Sequence, residues 1–204
     1  MAKSLLFSIC IYLSTWLLST GQAELIIGFD ANGTVTGTDV RVNDNFSIEL
    51  YLIETTTSQL SDFGLLAFGT RGTFSSSILQ ARGGTIDPNF PFIGMGNPDT
   101  SMAGLVDVFG GATNAPKANS IRLVQLQFRA LSPGITSIAF GDLDPAFSDF
   151  SLNNLAVNDL DVVLFQNSRT YNFLVNVSPV PEPSSLLYLG LGTIFYTLRF
   201  WNRK

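Results

Sequence analysis

Carboxylates are the main side chains in this 204-residue sequence that could carry chemistry. The sequence has no histidine, which excludes a Ser-His-Asp or Cys-His arrangement and a histidine-bound zinc ion. Asp142, Asp144 and Asp149 lie close together in a polar stretch, and Asp159 and Asp161 follow. These oxygens could bind one structural Ca²⁺, or two of them could form the acid/base pair of a glycosidase. Solvation of a surface loop explains the same residues more simply, so we predict no catalytic residue and no cofactor.

Aromatic side chains near a Gly- and Pro-rich stretch, residues 83–98, are a second candidate binding feature. Phe90, Phe92 and Met95 lie in this stretch, and Phe109 follows it. Such side chains could stack on sugar rings. Packing beneath a long loop is the simpler interpretation, because small apolar clusters commonly form there.

Charge limits the partners of the central part of the chain. Residues 24–183 contain 16 acidic and seven basic residues, which leaves a formal charge of −9. An acidic body without a basic stripe argues against binding to nucleic acid and against adhesion to anionic lipid. The segment between the two chain ends has about the length of one domain and can bury a core without covalent staples.

The N-terminus, residues 1–23, has the three parts of a secretory signal peptide. Lys3 supplies the positive charge, Leu5–Leu18 is the apolar segment, and Gly21 and Ala23 are the small residues before a predicted cut after Ala23. Cys10 is the only cysteine, and its place inside the apolar segment argues against a lipoprotein signal. It would leave with the signal, so the mature chain is predicted to have no disulfide and no thiol nucleophile.

The C-terminus, residues 179–204, combines a Pro-Glu-Pro sequence, an apolar segment and a basic end. Prolines fix φ and lack an N–H donor, so the first part, at Val180, Pro181, Glu182 and Pro183, should stay extended. Residues 186–201 are predicted to form a transmembrane helix near the lower limit of spanning length. The apolar anchor residues are Leu186, Leu187, Leu189, Leu191, Ile194, Phe195 and Leu198, and the basic residues that would hold the far end in the cytoplasm are Arg199, Arg203 and Lys204.

The order of these three parts resembles the PEP-CTERM protein-sorting signal. In that family the signal is recognised and cleaved near the Pro-Glu-Pro sequence by exosortase, a membrane cysteine transpeptidase. The bacteria that carry it are typically Gram-negative producers of exopolysaccharide. The resemblance implies a protein that is anchored transiently in the inner membrane and then released to the cell envelope, outer surface or extracellular matrix. An ordinary tail anchor with a proline-rich linker is the alternative.

The body, residues 24–178, is predicted to be all β. Apolar and polar residues alternate most clearly in Phe46–Leu52 and Ile121–Ala130. Two hairpins are predicted, 121–130 with 135–140 and 161–165 with 171–177, while residues 83–98 should be irregular. Further strands are predicted at Leu25–Phe29, Asp62–Phe68 and Ser101–Phe109. The pattern of a long amphipathic helix is missing from the body, and many short strands indicate a β-sandwich.

Several of these stretches resemble cohesin domains, which are jelly-roll β-sandwiches of the bacterial carbohydrate-binding superfamily. Residues 40–48 resemble their opening strand, and residues 62–68 with 77–81 resemble their second strand and crossover. Residues 121–130 and 133–140 resemble their late strands. Residues 83–98 depart from the cohesin pattern, and no binding residue is transferred. The resemblance implies an all-β jelly-roll sandwich between an N-terminal signal helix and a C-terminal transmembrane helix.

Together these features predict an exported, non-enzymatic protein of the cell surface or exopolysaccharide matrix. Its predicted partners are an exosortase-type transpeptidase during processing and a polysaccharide or surface protein afterwards, with no nucleic acid. A carboxylate-based glycan hydrolase and a cohesin-type module for protein adhesion are the alternatives.

Overall fold

The computed structural model describes residues 25–56, 58–91, 97–154 and 160–180. In these ranges the chain forms ten strands, two short helices and one 3₁₀ turn. The strands are β1 (Leu25–Gly28), β2 (Gly37–Arg41), β3 (Asn45–Glu54), β4 (Leu65–Thr73), β5 (Leu79–Ile86), β6 (Leu105–Gly111), β7 (Ser120–Ala130), β8 (Gly134–Asp142), β9 (Ser151–Leu152) and β10 (Tyr171–Ser178). The helices are α1 (Gln59–Phe63) and α2 (Asp161–Leu164), and the 3₁₀ turn is Gln166–Ser168.

The strands form two sheets that share one apolar core. Sheet A has the strand order β1-β3-β7-β5, and sheet B has the order β2-β10-β8-β4-β6, with β9 paired to β4. The paired strands are antiparallel except β2 and β10, which run parallel. Consecutive strands often lie in opposite sheets, as in a jelly roll. The predicted all-β, jelly-roll sandwich is confirmed.

Alternating side chains build the core between the sheets. In β10, every second residue from Tyr171 to Val177 is buried and the residues between them are exposed, the period of a strand with one face on a core. Phe74 meets Phe128 at right angles with ring centroids 5.4 Å apart, a geometry that the charge distribution of aromatic rings favours. The largest fully buried side chains are Phe68, Phe128, Phe140 and Phe150.

Both predicted hairpins are wrong. β7 pairs with β3 and β5 in sheet A, whereas β8 pairs with β4 and β10 in sheet B. The connection between β7 and β8 therefore carries the chain from one sheet to the other. Both strands bury one face in the same core, and alternation alone does not reveal which sheet a strand joins. The second hairpin fails because its first half, Asp161–Leu164, is helix α2.

Three other predicted boundaries also need correction. The strand predicted at 62–68 starts only at Leu65, because residues 62 and 63 end α1 and Gly64 turns the chain with φ +81°. The strand predicted at 101–109 begins at Leu105. The stretch predicted to be irregular, 83–98, begins inside β5, whose bulge at Arg82 lets the strand continue through Gly83 to Ile86.

Both terminal predictions fall on parts of the chain outside the described residues. They are the signal peptide with its cut after Ala23, and the sorting sequence 181–183 with its transmembrane helix 186–201 and basic end. Within the ranges that the structure describes, no helix is long and apolar enough to cross a membrane.

Candidate functional site

Three carboxylates hold the backbone of the loop between β8 and β9 together: Asp144 and Asp149 in the loop itself, and Asp161 on α2. Asp161 accepts hydrogen bonds from the backbone N–H groups of Asp149 and Phe150, the second at 3.1 Å. Asp149 in turn accepts the N–H of Asp144 at 3.0 Å. Asp149 and Asp161 are both buried. These hydrogen bonds join separate points of the backbone, and they therefore fix the shape of residues 144–150.

Burial sets the acidity of the two buried groups. Removal from water disfavours the charged form, and it raises the pKa of Asp161 to about 7, although the N–H donors of Asp149 and Phe150 act in the opposite direction. Burial also raises the pKa of Asp149, against the hydrogen bond from Asp144. The nearby charge of Asp142 raises both pKa values further. The loop is therefore held by a carboxyl group that titrates near neutral pH.

The calcium candidates Asp142, Asp144 and Asp149 are not placed to share a metal ion. Among the described residues, which leave out Asp159, no group of three or more acidic side chains could hold one. Asp144 instead accepts the N–H of Ala146 at 3.0 Å, which is local turn chemistry. Backbone capping thus accounts for carboxylates that the sequence suggested were solvated or bound to calcium.

The predicted aromatic cluster is split by the fold. Phe90 is buried and packs edge-to-face on Phe68, with ring centroids 4.9 Å apart. Phe109 lies on β6 and is partly exposed. Phe92 and Met95 lie outside the described residues. Phe90 therefore packs in the core, as the simpler interpretation of the sequence expected, and its ring is not available to a sugar.

The outer face of sheet A carries a network of charged side chains. Arg122 on β7 forms salt bridges to Glu49 on β3 at 3.1 Å and to Asp87, just after β5, at 2.9 Å. The hydroxyl of Tyr51 donates to Glu49 at 2.9 Å. Desolvation, followed by this hydrogen bond, raises the pKa of Tyr51. The charges of this network are thus paired with each other, which leaves little of them for a ligand.

A shallow depression of about 660 Å³, here called the sheet A depression, adjoins this network. Arg129 donates to the Asn43 side-chain oxygen at 2.9 Å. Neither Arg82 nor Arg129 forms a salt bridge within the described part of the chain. The depression is lined by Asn43, Asn45, Phe46, Ser47, Arg82, Gln125, Gln127, Phe128 and Arg129. Its chemistry is that of amides, a hydroxyl and two guanidinium groups, which can bind hydroxyls and anions.

The outer face of sheet B differs in chemistry. Arg71 on β4 donates two hydrogen bonds to Asp107 on β6, both of 2.7 Å. Farther along the sheet, Ile135 on β8 and Leu174 on β10 are exposed by 68% and 52%. The register places Leu174 opposite Ser137, two residues from Ile135, so the two side chains are diagonal neighbours on one face. This exposed pair could contact another protein.

Sequence reasoning missed the sheet A depression. The signal was present in part, because the outward positions of the strand 121–130 carry Arg and Gln residues such as Gln127 and Arg129. The position of Arg82 gave no such signal, since it directly precedes residues 83–98, which were expected to be irregular. Only the pairing of β3, β7 and β5 brings these side chains together.

Comparison with solved structures finds cohesin modules with a fold similar to that of the sandwich. A cohesin module of a family 33 glycoside hydrolase from Clostridium perfringens has 9% sequence identity and a TM-score of 0.52, covering 78% of this chain and 98% of that module. The sixth cohesin of scaffoldin B from Acetivibrio cellulolyticus, solved with a Cel5 dockerin, has 11% identity and a TM-score of 0.51, covering 76% and 99%. At such identities the likeness shows the fold alone, and the predicted cohesin-like sandwich is confirmed.

The C-terminal segment of the chain matches a known sorting motif. Residues 179–204 match the PEP-CTERM protein-sorting motif, which confirms the sequence prediction. No curated protein matches the chain. The chain is thus a cohesin-like β-sandwich followed by a PEP-CTERM sorting motif. That motif indicates a secreted protein that is processed at the membrane by exosortase and directed to the cell surface.

Proposed function

We propose that this protein is a non-enzymatic component of the cell surface or exopolysaccharide matrix, and that its sandwich is the binding module delivered there. The observation that carries the proposal is the position of the sorting motif. The last strand, β10, ends at Ser178, and the motif begins at residue 179. The sandwich is therefore joined to its sorting signal without a linker, and it is the cargo that the signal delivers.

The pathway follows from the two ends of the sequence. A signal peptide is removed after Ala23 during export, and the helix 186–201 then holds the chain in the inner membrane of a Gram-negative bacterium. An exosortase-type transpeptidase cuts near Pro181, Glu182 and Pro183. The product joins the cell envelope, the outer surface or the extracellular polysaccharide.

The end of the sandwich is built to survive this cut. The N–H of Val42 donates to the Ser178 carbonyl at 3.1 Å, and the Ser178 hydroxyl donates to the Val40 carbonyl at 3.1 Å. β10 is thus bound to β2 up to its final residue. A cut at residues 181–183 removes none of these bonds, so the released body should keep the stability of the uncut protein.

Mass spectrometry of the protein from bacteria with and without the sorting transpeptidase tests the proposal. We expect the wild-type chain to end near Pro183 when the transpeptidase is present and at Lys204 when its gene is deleted. Pro181→Ala combined with Glu182→Ala should keep the whole tail. The control Asn172→Ala, at an exposed position of β10, should be processed normally. An intact end at Lys204 in wild-type bacteria would remove the sorting proposal.

The use of the loop carboxylates supports a non-enzymatic function. The glycosidase alternative needs two carboxyl groups facing each other across a substrate cleft. Asp149 and Asp161 instead accept backbone N–H groups and are buried. To act as a general acid or base, either carboxyl group would first have to break these backbone hydrogen bonds before it could contact a substrate.

Protein adhesion is the second candidate, and the exposed pair Ile135 and Leu174 favours it. Adjacent apolar side chains on a flat sheet can form the centre of a protein interface. The cohesin of Acetivibrio cellulolyticus was solved in complex with a dockerin. Capture of proteins from the same organism's secretome tests this candidate. The double variant Ile135→Ser with Leu174→Ser should lose a partner that the control Val162→Ser, exposed by 66% on α2, retains.

A further inference from the structure

The sheet A depression brings two arginines and several amide side chains together on the outer face of sheet A. We propose that it binds an acidic polysaccharide, with Arg82 and Arg129 contacting carboxylates of the sugar chain and the amides beside them contacting its hydroxyls. The inference rests on the proposed function, because a protein of the cell surface or matrix would meet such a ligand there. It adds the chemical class of the ligand and the site that binds it.

Arg82 and Arg129 are positive charges on an acidic body, whose formal charge is −9. Arg71 and Arg122 form salt bridges with carboxylates of that body. Arg82 and Arg129 do not form a salt bridge with any residue in the ranges described. Two arginines without carboxylate partners on one face of an acidic protein are complementary to an anionic ligand.

The neighbouring carboxylate does not cancel these charges. Glu49 lies on the same strand as Ser47, two residues farther along and on the same outer face. Its two carboxylate oxygens accept hydrogen bonds from Arg122 and Tyr51. Because Glu49 is held by those two partners, it remains paired beside the depression and leaves Arg82 and Arg129 to the ligand.

A β-bulge directs Arg82 into the depression. The register between β5 and β7 shifts between Ala81 and Gly83, so Arg82 is the extra residue, and bulges commonly re-aim a side chain. Gly83 has a φ of +113°, where a residue with a side chain would be strained, and a Cβ placed on it would meet no atom within 4 Å. The bulge thus adds a guanidinium group and leaves open space beside it.

Arg129 is positioned by a second local feature. Asn43 adopts a left-handed conformation with φ +74°, which Asn tolerates better than most residues, and its side-chain oxygen accepts a hydrogen bond from Arg129 at 2.9 Å. This bond uses one nitrogen of the guanidinium group. The remaining donors stay available for a carboxylate, which a guanidinium group can bind with two parallel hydrogen bonds.

The polar lining favours a sugar chain over an acidic segment of a protein. The other polar side chains of the lining are amides and a hydroxyl, from Asn43, Asn45, Ser47, Gln125 and Gln127. Such groups donate and accept, as sugar hydroxyls do. Protein interfaces are usually centred on exposed aromatic or aliphatic side chains. Of the two aromatic residues in the lining, Phe128 is fully buried. Phe46 is partly buried and stacks on Phe128 with ring centroids 5.7 Å apart, so neither is a freely exposed centre of that kind.

Titration calorimetry with the full-length protein in nonionic detergent tests the site. The probes are short oligogalacturonates, neutral oligosaccharides of galactose, and polyglutamate of matched charge. We expect oligogalacturonate to bind, with lower affinity at high salt, and the other two probes to bind at least tenfold more weakly. Arg82→Gln and Arg129→Gln should each weaken oligogalacturonate binding by about tenfold, the usual cost of a lost hydrogen bond to a charged group.

The matched control is Arg41→Gln, which removes the same charge from an exposed position of β2 in sheet B. It should change the affinity less than twofold. Equal weakening by Arg41→Gln would overturn the site, because the attraction would then be general. If polyglutamate bound as tightly as oligogalacturonate, with the same dependence on Arg82 and Arg129, the ligand would be an acidic protein partner and not a polysaccharide. Absence of binding to every probe would overturn the inference.

These outcomes are separate from those of the sorting experiment. The calorimetry uses the uncut chain, so a tail that is never processed does not affect it. Binding with an unprocessed tail in wild-type bacteria would refute the sorting proposal and keep the site. Normal processing with no binding would keep the sorting proposal and refute the site.

Discussion

Replacing Asp161 by asparagine tests how the loop between β8 and β9 is held. The wild-type carboxyl group is buried and accepts two backbone N–H groups, from Asp149 and Phe150. Burial raises its pKa from 3.8 to about 7, so the folded protein binds this proton more tightly than the unfolded chain. The contribution of Asp161 to stability is therefore fully present below pH 4 and is lost as the pH rises towards 7.

The size of the effect follows from the same shift. One pKa unit corresponds to about 1.4 kcal/mol, so the free energy of unfolding should fall by at most about 1.4 kcal/mol per pH unit in this window and by at most about 4 kcal/mol in total. Asparagine keeps a side-chain oxygen for the backbone donors but does not titrate. Asp161→Asn should therefore be about as stable as the wild type at pH 4, where the folded carboxyl group is protonated, and more stable than the wild type at pH 8.

Urea unfolding followed by far-ultraviolet circular dichroism, repeated from pH 4 to pH 8, measures this difference. Asp62→Asn is the control, because Asp62 is exposed and its asparagine can still accept the hydrogen bond from Ser58. This variant should lose stability between pH 4 and pH 8 as the wild type does, because Asp161 is unchanged in it. Parallel stability curves for Asp161→Asn and the wild type across the whole range would refute the reasoning, since Asp161 would then have the same pKa in both states.

Three further substitutions test the packing. Gly69→Ala should destabilise the protein by about 1–3 kcal/mol, because the new Cβ would lie 2.9 Å from the Cβ of Asp149; an unchanged urea midpoint would show that the loop can move away. Phe128→Ala should lower the free energy of unfolding by about 3–5 kcal/mol, since the ring is fully buried. A loss of under about 1 kcal/mol, measured by thermal unfolding, would contradict this. Arg71→Ala should cost less than about 1 kcal/mol, because its salt bridge to Asp107 is partly exposed; a larger loss in a double-mutant cycle would contradict this.

The sequence predicted the individual strands well where a core covers one face of them. Strand β7 was expected at 121–130 and is found at Ser120–Ala130, because its side chains alternate between core and solvent. Alternation is a local property of the chain, and it fixes which face is buried. It does not fix the neighbour, which depends on contacts between residues far apart in sequence. The hairpin predicted for 121–130 and 135–140 failed for that reason.

The segment 161–164 shows the opposite failure, in which the local preference itself was overridden. Val162 and Val163 favour a strand because β-branched residues do, yet Asp161–Leu164 forms helix α2. Asp161 is tied to the backbone of Asp149 and Phe150, and Leu164 is fully buried. These distant contacts outweigh a propensity that spans only about 1 kcal/mol.

The sheet A depression could not have been found from any continuous motif. Its lining comes from residues 43–47 before and in β3, from Arg82 at the bulge of β5, and from residues 125–129 of β7. β7 lies between β3 and β5 in the sheet although it follows both in sequence. Had β7 paired with β8, as the sequence suggested, Arg129 would lie beside β8, away from Arg82. The pairing of β7 with β3 and β5, which made the hairpin prediction wrong, thus places the two arginines in one depression. Binding of an acidic ligand there would depend on the jelly-roll order of the strands.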